Sequence, residues 1–135
     1  MALITWADKY SVNVNEIDEQ HKKLVGFLNN LHDAMLNGKS KDMILNIIDD
    51  MSEYTVYHFS TEEKYMSEFD YPDYSTHKKE HDEFVNKVLE YRKDYETEKV
   101  GLNFEIMNFL NRWIEKHIQI SDKKYGPLFN ENGVA

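Results

Sequence analysis

The strongest constraint on the fold is the spacing of apolar side chains, which recur at steps of three and four residues in four long segments. These segments cover about residues 16–37, 41–69, 75–97 and 102–125. Steps of three and four place side chains on one face of an α-helix, so each segment predicts an amphipathic helix. The chain has only two prolines and five glycines, which suits long helices better than a fold with many turns.

The short breaks between the segments indicate how the helices are connected. Asn37-Gly38-Lys39-Ser40 is expected to stop the first helix and cap the second, and Pro127 is expected to end the fourth. Asn15 or Asp18 is expected to cap the first helix. Short connections favour an all-α, antiparallel up-down-up-down four-helix bundle. Residues 1–15 lack the periodicity and are expected to form an arm, with residues 1–135 making a single domain.

Composition limits the partners of the chain. Lysine and arginine number 16 against 25 aspartates and glutamates, so the net charge is −9. Such a surface repels nucleic acids and anionic membranes. No segment is long and apolar enough for membrane insertion, and no secretory signal is visible, so a cytoplasmic location is expected. The absence of cysteine excludes disulfides, iron–sulfur clusters, thiolate zinc sites and cysteine nucleophiles.

The histidines carry the chemical information in this sequence. Five of the six fall on the apolar faces of the predicted helices: His21, His58, His77, His81 and His117. His32 does not continue the apolar face of the first helix and is expected to point outward or sideways. Glu62 lies on the same face as His58, one turn later. A buried carboxylate is unfavourable unless it is paired, hydrogen-bonded or bound to a metal.

In an antiparallel bundle the five histidines lie at the same end. His21 is near the start of the first helix, and His58 and His117 are late in the second and fourth. His77 and His81 open the third helix, at that end again. Five imidazoles exceed the four ligands of one zinc ion, so they predict two metals bridged by carboxylates. Iron, copper, zinc and nickel all suit imidazole ligands, and the spacing does not choose between them.

A purely structural role is the alternative for each of these residues taken alone. A single histidine on an apolar face is most often part of the core, and a histidine–glutamate pair four residues apart is usually a solvated surface pair. Five histidines at one depth on four different helices are much harder to obtain by accident. We therefore favour a dinuclear metal site over a structural bundle.

Several segments resemble the hemerythrin family, and within it the single-domain bacteriohemerythrins, in order and spacing along essentially the entire chain. They are Trp6…Tyr10-Ser-Val12, Glu16-Ile-Asp-Glu-Gln-His21-Lys-Lys-Leu24, His58-Phe-Ser-Thr-Glu62-Glu-Lys-Tyr-Met66, Tyr71-Pro72, His77-Lys-Lys-Glu-His81-Asp-Glu-Phe84 and Trp113-Ile-Glu-Lys-His117-Ile-Gln-Ile-Ser-Asp122-Lys-Lys-Tyr125. The resemblance implies two iron ions with a bridging oxo or hydroxo group, and reversible binding of dioxygen.

The resemblance also implies a role for individual residues. One iron would be held by His77, His81 and His117, and the other, which keeps an open position, by His21 and His58. Glu62 and Asp122 would bridge the two ions. An apolar pocket over the open position would consist of Leu24, Phe59, Trp113, Ile114 and Ile118, although plain core packing would also explain these five residues.

The spacing between His117 and Asp122 conflicts with a regular helix. Residues five apart are separated by about 140° around an α-helix, so both side chains cannot face one metal pair without distortion. We therefore predict a local irregularity between Ile118 and Asp122, such as a π-bulge.

Dioxygen storage, transport or delivery to an oxygen-consuming oxidase is the leading function, and the chain is expected to be a monomer and not an enzyme. A di-iron oxidase or iron-storage protein of the ferritin-like type would need two Glu-x-x-His pairs, and the sequence has none. A sensor of O₂ or NO would need an output domain, for which 135 residues leave no room. A zinc hydrolase would need a general base that we do not find.

Overall fold

The computed structural model describes residues 4–97 and 101–135, which are helical with connecting turns and contain no strand. The four long helices are α1 (Asn15–Leu36), α2 (Lys41–Glu68), α3 (Tyr74–Glu96) and α4 (Leu102–Lys116). The chain continues from α4 through a π-helical turn (His117–Ser121) and a 3₁₀ turn (Asp122–Tyr125) into α5 (Gly126–Glu131). Within these two ranges, no helix combines the length and hydropathy needed to cross a membrane.

The four long helices form the antiparallel bundle that the sequence predicts. Helices consecutive in the chain pack against each other, and α4 returns to pack against α1. The connection between α1 and α2 follows the predicted turn: Gly38 adopts a positive φ of 63°, and the Ser40 side chain accepts a hydrogen bond from the Met43 N–H. Glycine suits position 38 because it has no Cβ atom, so its backbone adopts a positive φ without a steric penalty.

Two expectations about helix ends are wrong. Pro127 does not terminate the helical path, because it lies in the first turn of α5, where a proline loses no hydrogen bond. No side chain caps α1, which is preceded by Val14. Asp18 instead accepts hydrogen bonds from the Val12 N–H at 2.9 Å and the Ser11 hydroxyl at 2.6 Å. Asp18 therefore fastens the arm to the first turn of α1.

The buried apolar residues form two clusters. The larger runs along the bundle between the four long helices. The smaller cluster lies where the arm, the end of α2 and α5 meet. It comprises Val12, Val14, Ile17, Met66, Tyr71, Tyr125 and Phe129. A Cβ atom at Gly126 would lie 2.6 Å from the Val12 carbonyl oxygen, so glycine permits the close approach of arm and α5. The smaller cluster closes the histidine-bearing end of the bundle, where the rings of Tyr71 and Tyr125 face His77 at 6.5 and 5.7 Å.

Candidate metal centre

The structure brings together seven polar side chains from α1, α2, α3 and the turns after α4. They are His21, His58, Glu62, His77, His81, His117 and Asp122, and each is buried, with at most 3% of its surface exposed. Their ligand atoms form two groups, each within 4.8 Å: one with His21 and His58, the other with His77, His81 and His117; Glu62 and Asp122 belong to both. His32 is half-buried on α1 and belongs to neither group.

The Glu62 carboxylate reaches both histidine groups, with one oxygen toward each. Its Oε1 atom lies 2.5 Å from His58 Nε2 and 3.7 Å from His21 Nε2. Its Oε2 atom lies 3.4 Å from His77 Nε2 and 3.9 Å from His81 Nε2. Glu62 is therefore positioned to bridge two cations.

Asp122 repeats this arrangement. Its Oδ2 atom lies 3.0 Å from His21 Nε2. Its Oδ1 atom lies 2.9 Å from both His77 Nε2 and His117 Nε2. Two carboxylates therefore link the same two groups of imidazoles.

The predicted irregularity after α4 is confirmed, and it explains how Asp122 reaches the cluster. The segment His117–Ser121 is a π-helical turn, in which the Asp122 N–H donates to the His117 carbonyl five residues earlier. A π turn accommodates one more residue than an α turn. It therefore brings residues five apart onto the same side of the helix, where both face the other ligand atoms.

Three side chains hold the outer nitrogens of the histidines. Gln20 Oε1 accepts from His58 Nδ1 at 2.7 Å, and Glu63 Oε2 accepts from His81 Nδ1 at 2.8 Å. Glu80 Oε1 accepts from His117 Nδ1 at 3.3 Å and from the Ser121 hydroxyl at 2.8 Å. A proton held on Nδ1 leaves the Nε2 lone pair directed into the cluster, as a metal ligand requires. Each of the three lies directly beside a candidate ligand in the sequence: Gln20 before His21, Glu63 after Glu62 and Glu80 before His81.

The interior of the cluster lacks donors for its acceptors. Among the described residues, His77 Nε2 and both carboxylate oxygens of Glu62 and of Asp122 have no hydrogen-bond partner despite their short separations. His81 Nε2 and His117 Nε2 lie 3.1 Å apart, and both Nδ1 atoms already hold protons for their carboxylate partners. Buried polar atoms rarely remain without partners. Inward-facing imidazole nitrogens and carboxylate oxygens therefore fit a pair of metal ions between them.

The carboxylates and imidazoles shift each other's titration strongly. Burial alone would lower the pKa of His77, but Asp122 and Glu62 outweigh it and raise that pKa to about 10. The same opposition raises the pKa values of His21 and His117 to about 9. Conversely, the imidazoles lower the pKa values of both carboxyls despite their burial. In the metal-free protein, protons on His21, His77 and His117 therefore offset the charge of the buried carboxylates, whereas burial lowers the pKa of His58.

Aromatic rings pack directly against the histidines. The Phe59 ring stacks on His81 with centroids 3.7 Å apart, and the Trp113 ring stacks on His117 at 4.2 Å. Leu24, Ile114 and Ile118 are buried in the same apolar cluster as Phe59, and the half-buried Trp113 packs against it. The five residues expected to form an apolar pocket thus lie in one contiguous region beside the site.

Tyr125 is a site residue that the sequence reasoning did not single out. Its ring lies 5.7 Å from that of His77, its hydroxyl has no hydrogen-bond partner among the described residues, and burial raises its pKa. The sequence does contain one indication of its place in the site. Tyr125 lies three residues after Asp122, which places it about one turn further along the same helical path.

Comparison with known proteins agrees with this geometry. Residues 12–129 match the sequence model of a family described as "Hemerythrin HHE cation binding domain". A bacteriohemerythrin of Methylococcus capsulatus is 35% identical over 131 residues, covering 96% of this chain and 99% of its own. A bacteriohemerythrin of Pseudomonas aeruginosa is 37% identical over 126 residues, covering 93% of this chain and 80% of its own.

Solved structures give the same result for the fold. The crystal structure of a wild-type hemerythrin superposes with a TM-score of 0.87 at 34% sequence identity, covering 94% of this chain and 98% of that one. Because the match extends over most of the chain in both sequence and structure, the chain belongs to the hemerythrin family.

Proposed function

We propose that this protein binds dioxygen reversibly at a non-haem di-iron centre and serves in O₂ storage, transport or delivery. The observation that carries the proposal is the double carboxylate link. Glu62 and Asp122 each direct one oxygen toward the His21 side and the other toward the His77 side. A site for a single ion would need only one such group of ligands.

Each residue has a specific task in this proposal. His77, His81 and His117 hold one iron, His21 and His58 hold the other, and Glu62 and Asp122 bridge the two beside a solvent-derived oxo or hydroxo group. When bound, the iron pair supplies the electrons that make O₂ binding reversible. The residues around it set the geometry, because Gln20, Glu63 and Glu80 fix the orientation of three imidazoles.

The unequal number of imidazoles determines where O₂ binds. Three histidines serve one ion and two serve the other, while both carboxylates are shared. The ion held by His21 and His58 therefore has one protein ligand fewer and keeps a position for O₂.

The apolar wall protects that position from water. Leu24, Ile114 and Ile118 are buried, and Phe59 and Trp113 stack on His81 and His117, which belong to the neighbouring three-histidine group. Excluding water from an active site prevents side reactions such as proton leakage to a reactive oxygen species. We assign these five residues to the O₂ pocket, in addition to their packing role.

The other parts of the proposal follow from the leading function. A carrier of O₂ is not an enzyme, and its partner in delivery would be an oxygen-consuming oxidase. We propose a monomer in the cytoplasm. The alternatives are a sensor of O₂ or NO and a di-iron oxidase or iron-storage protein. The following experiment separates the oxidase and the iron-storage protein from the leading function.

The test is an optical spectrum of the reduced, iron-loaded protein under cycles of air and argon. We expect a visible charge-transfer band that appears with O₂ and disappears when O₂ is removed, with two irons per chain by metal analysis. Continuous consumption of O₂ without a stable band would instead assign an oxidase. Loading of many irons per chain would assign iron storage.

A further inference from the structure

A surface pocket on α3 and α4 adjoins the candidate metal centre through one side chain. It has a volume of about 340 Å³ and is lined by Tyr91, Glu105, Asn108, Phe109, Arg112, Trp113 and Lys116. Its lining is mostly apolar, and three aromatic side chains contribute to it. Trp113 belongs both to this pocket and to the site, because its ring stacks on that of His117 at 4.2 Å and 15°.

Trp113 therefore provides a short aromatic connection from the surface to a proposed iron ligand. The indole is half-buried and is in van der Waals contact with the imidazole. Electron tunnelling weakens exponentially with distance, so a short path to the iron pair matters. A carrier bound in this pocket would be separated from the iron pair by two rings, those of Trp113 and His117.

The rim of the pocket carries a charge opposite to that of the whole protein. Arg112 and Lys116 line it, and neither has an ion-pair partner within the described part of the chain. Lys87 adds a third cation, 4.8 Å above the Tyr91 ring, although it also pairs with Glu90. Glu105 is the one carboxylate in the lining. The chain as a whole has a net charge of −9, so the local excess of cations at this rim favours an acidic partner here against the background of the whole molecule.

We propose that this pocket is the docking site of a small acidic one-electron carrier protein, which keeps the iron pair reduced through Trp113 and His117. The inference rests on the proposed function, because a pair oxidised to the diferric state no longer binds O₂. Each encounter moves one electron from the carrier to the iron pair. Two reduced carriers therefore leave oxidised, and the diferric pair becomes diferrous while an oxo bridge takes up one proton from solvent.

The geometry fits a transient encounter rather than a stable complex. Electron-transfer interfaces are small, and their charged rims act on the rate of association and on its dependence on salt. An apolar floor with two unpaired cations at its edge has this character. Binding should therefore be fast at low ionic strength and weaken as salt rises, since screening extends over only about 8 Å at physiological ionic strength.

The test uses reduced flavodoxin, an acidic one-electron carrier, as the probe. In stopped-flow measurements with the oxidised, iron-loaded protein, reversing the rim charges (Arg112→Glu with Lys116→Glu) should slow reduction at least about tenfold at low salt and flatten the salt dependence. Reversing two exposed lysines elsewhere, Lys39→Glu with Lys93→Glu, changes the net charge equally. This control variant should be reduced by flavodoxin at close to the wild-type rate. Reduction of each variant by dithionite, which needs no docking, should proceed at the wild-type rate.

A second readout does not depend on iron. Titration of flavodoxin into the metal-free protein should shift amide NMR signals around Arg112, Trp113 and Lys116, and the rim reversal should abolish these shifts. Equal effects of the two double variants, or shifts confined to another face, would overturn the docking site. Concentration-dependent dimerisation that the rim reversal removes would assign the pocket to a second copy of the chain. If the iron-loaded protein binds no O₂ but docking persists, the proposed function fails and the docking site does not.

Discussion

At the residue scale, the site depends on atoms that have nothing to bind in the protein itself. His77 shows this most clearly. It is 2% exposed, and its Nε2 atom approaches one oxygen of Glu62 and one of Asp122 without a hydrogen bond to either. Such an atom fits a cation at the point where the imidazole and both carboxylates converge, which is a proton in the metal-free protein and a metal ion in the loaded protein.

Replacing His77 should therefore remove a metal ligand. We expect His77→Ala to reduce bound iron from two ions toward one or fewer per chain, as measured by metal analysis after anaerobic loading. The matched control is His32→Ala on α1, which removes a half-buried histidine outside both ligand groups and should leave iron content unchanged. Equal iron content in the two variants would refute the assignment of His77.

The residues that hold the outer nitrogens should matter nearly as much as the ligands. Gln20→Leu removes the acceptor of His58 Nδ1, so we expect iron affinity to fall about 10- to 100-fold in a competition with a chelator. Glu19→Leu is the control, because Glu19 is the exposed neighbour on the same helix and pairs with Lys22 at the surface. An unchanged affinity in the Gln20 variant would show that His58 does not need this orientation.

At the element scale, the four helices were predictable because periodicity records which face of each helix is buried. The π turn was predictable for a different reason, since two residues needed in one place were five apart. The continuation through Pro127 was not, because proline is compatible with both the end of one helix and the first turn of another. Sequence alone did not show that the chain would start α5 there.

Residues of the site differ in how visible they are in the sequence. The candidate ligands were detectable because a histidine or carboxylate on an apolar face conflicts with its surroundings. Gln20, Glu63 and Glu80 produce no such conflict, since polar residues beside an apolar face are ordinary. Tyr125 was hidden for the opposite reason, because an aromatic ring in the core needs no further explanation. Only the contacts of these four residues reveal what they do.

The packing of α5 against the arm gives a prediction for glycine. In Gly126→Ala, the new Cβ atom would meet the Val12 carbonyl oxygen at 2.6 Å, and the backbone would have to shift. We expect a loss of about 1–3 kcal/mol in the free energy of unfolding. Gly26→Ala is the control, because its Cβ would meet nothing within 4 Å inside α1, and alanine there should add about 0.5–1 kcal/mol. The two changes should thus move urea midpoints in opposite directions, and a shared direction would contradict the close contact.

At the scale of the whole molecule, the site connects α1, α2 and α3 with the turns that follow α4, so its protonation affects the stability of the entire bundle. In the metal-free protein the pKa values of His21 and His117 are raised to about 9 and that of His77 to about 10. Unfolded histidine has a pKa near 6.5. The stabilisation from these protonated imidazoles is therefore fully present below about pH 6.5 and is lost as pH rises through about 9 to 10.

We accordingly expect the free energy of unfolding of the metal-free protein to fall between about pH 6.5 and 10, as measured by urea denaturation. On the acid side, the pKa values of Glu62 and Asp122 are lower in the folded protein than in the unfolded chain. Their carboxylates therefore stabilise the fold at pH values above the unfolded pKa values, and this stabilisation is lost as the pH falls toward the folded pKa values. The iron-loaded protein is the control, because coordinated imidazoles are already neutral and the decline on the alkaline side should disappear. A metal-free protein that becomes more stable over this range would contradict the proposed protonation.

The contact between the arm and α5 also has a consequence for the order in which the molecule is completed during synthesis. A ribosome makes the chain from its amino end, at about 5–20 residues per second. Val12 emerges early, yet Gly126, on which its carbonyl packs, emerges more than a hundred residues later. Asn130, whose side chain donates to the Asn13 carbonyl, follows later still. The nascent chain can assemble the middle of the bundle first, whereas its histidine-bearing end closes only after α5 has been made.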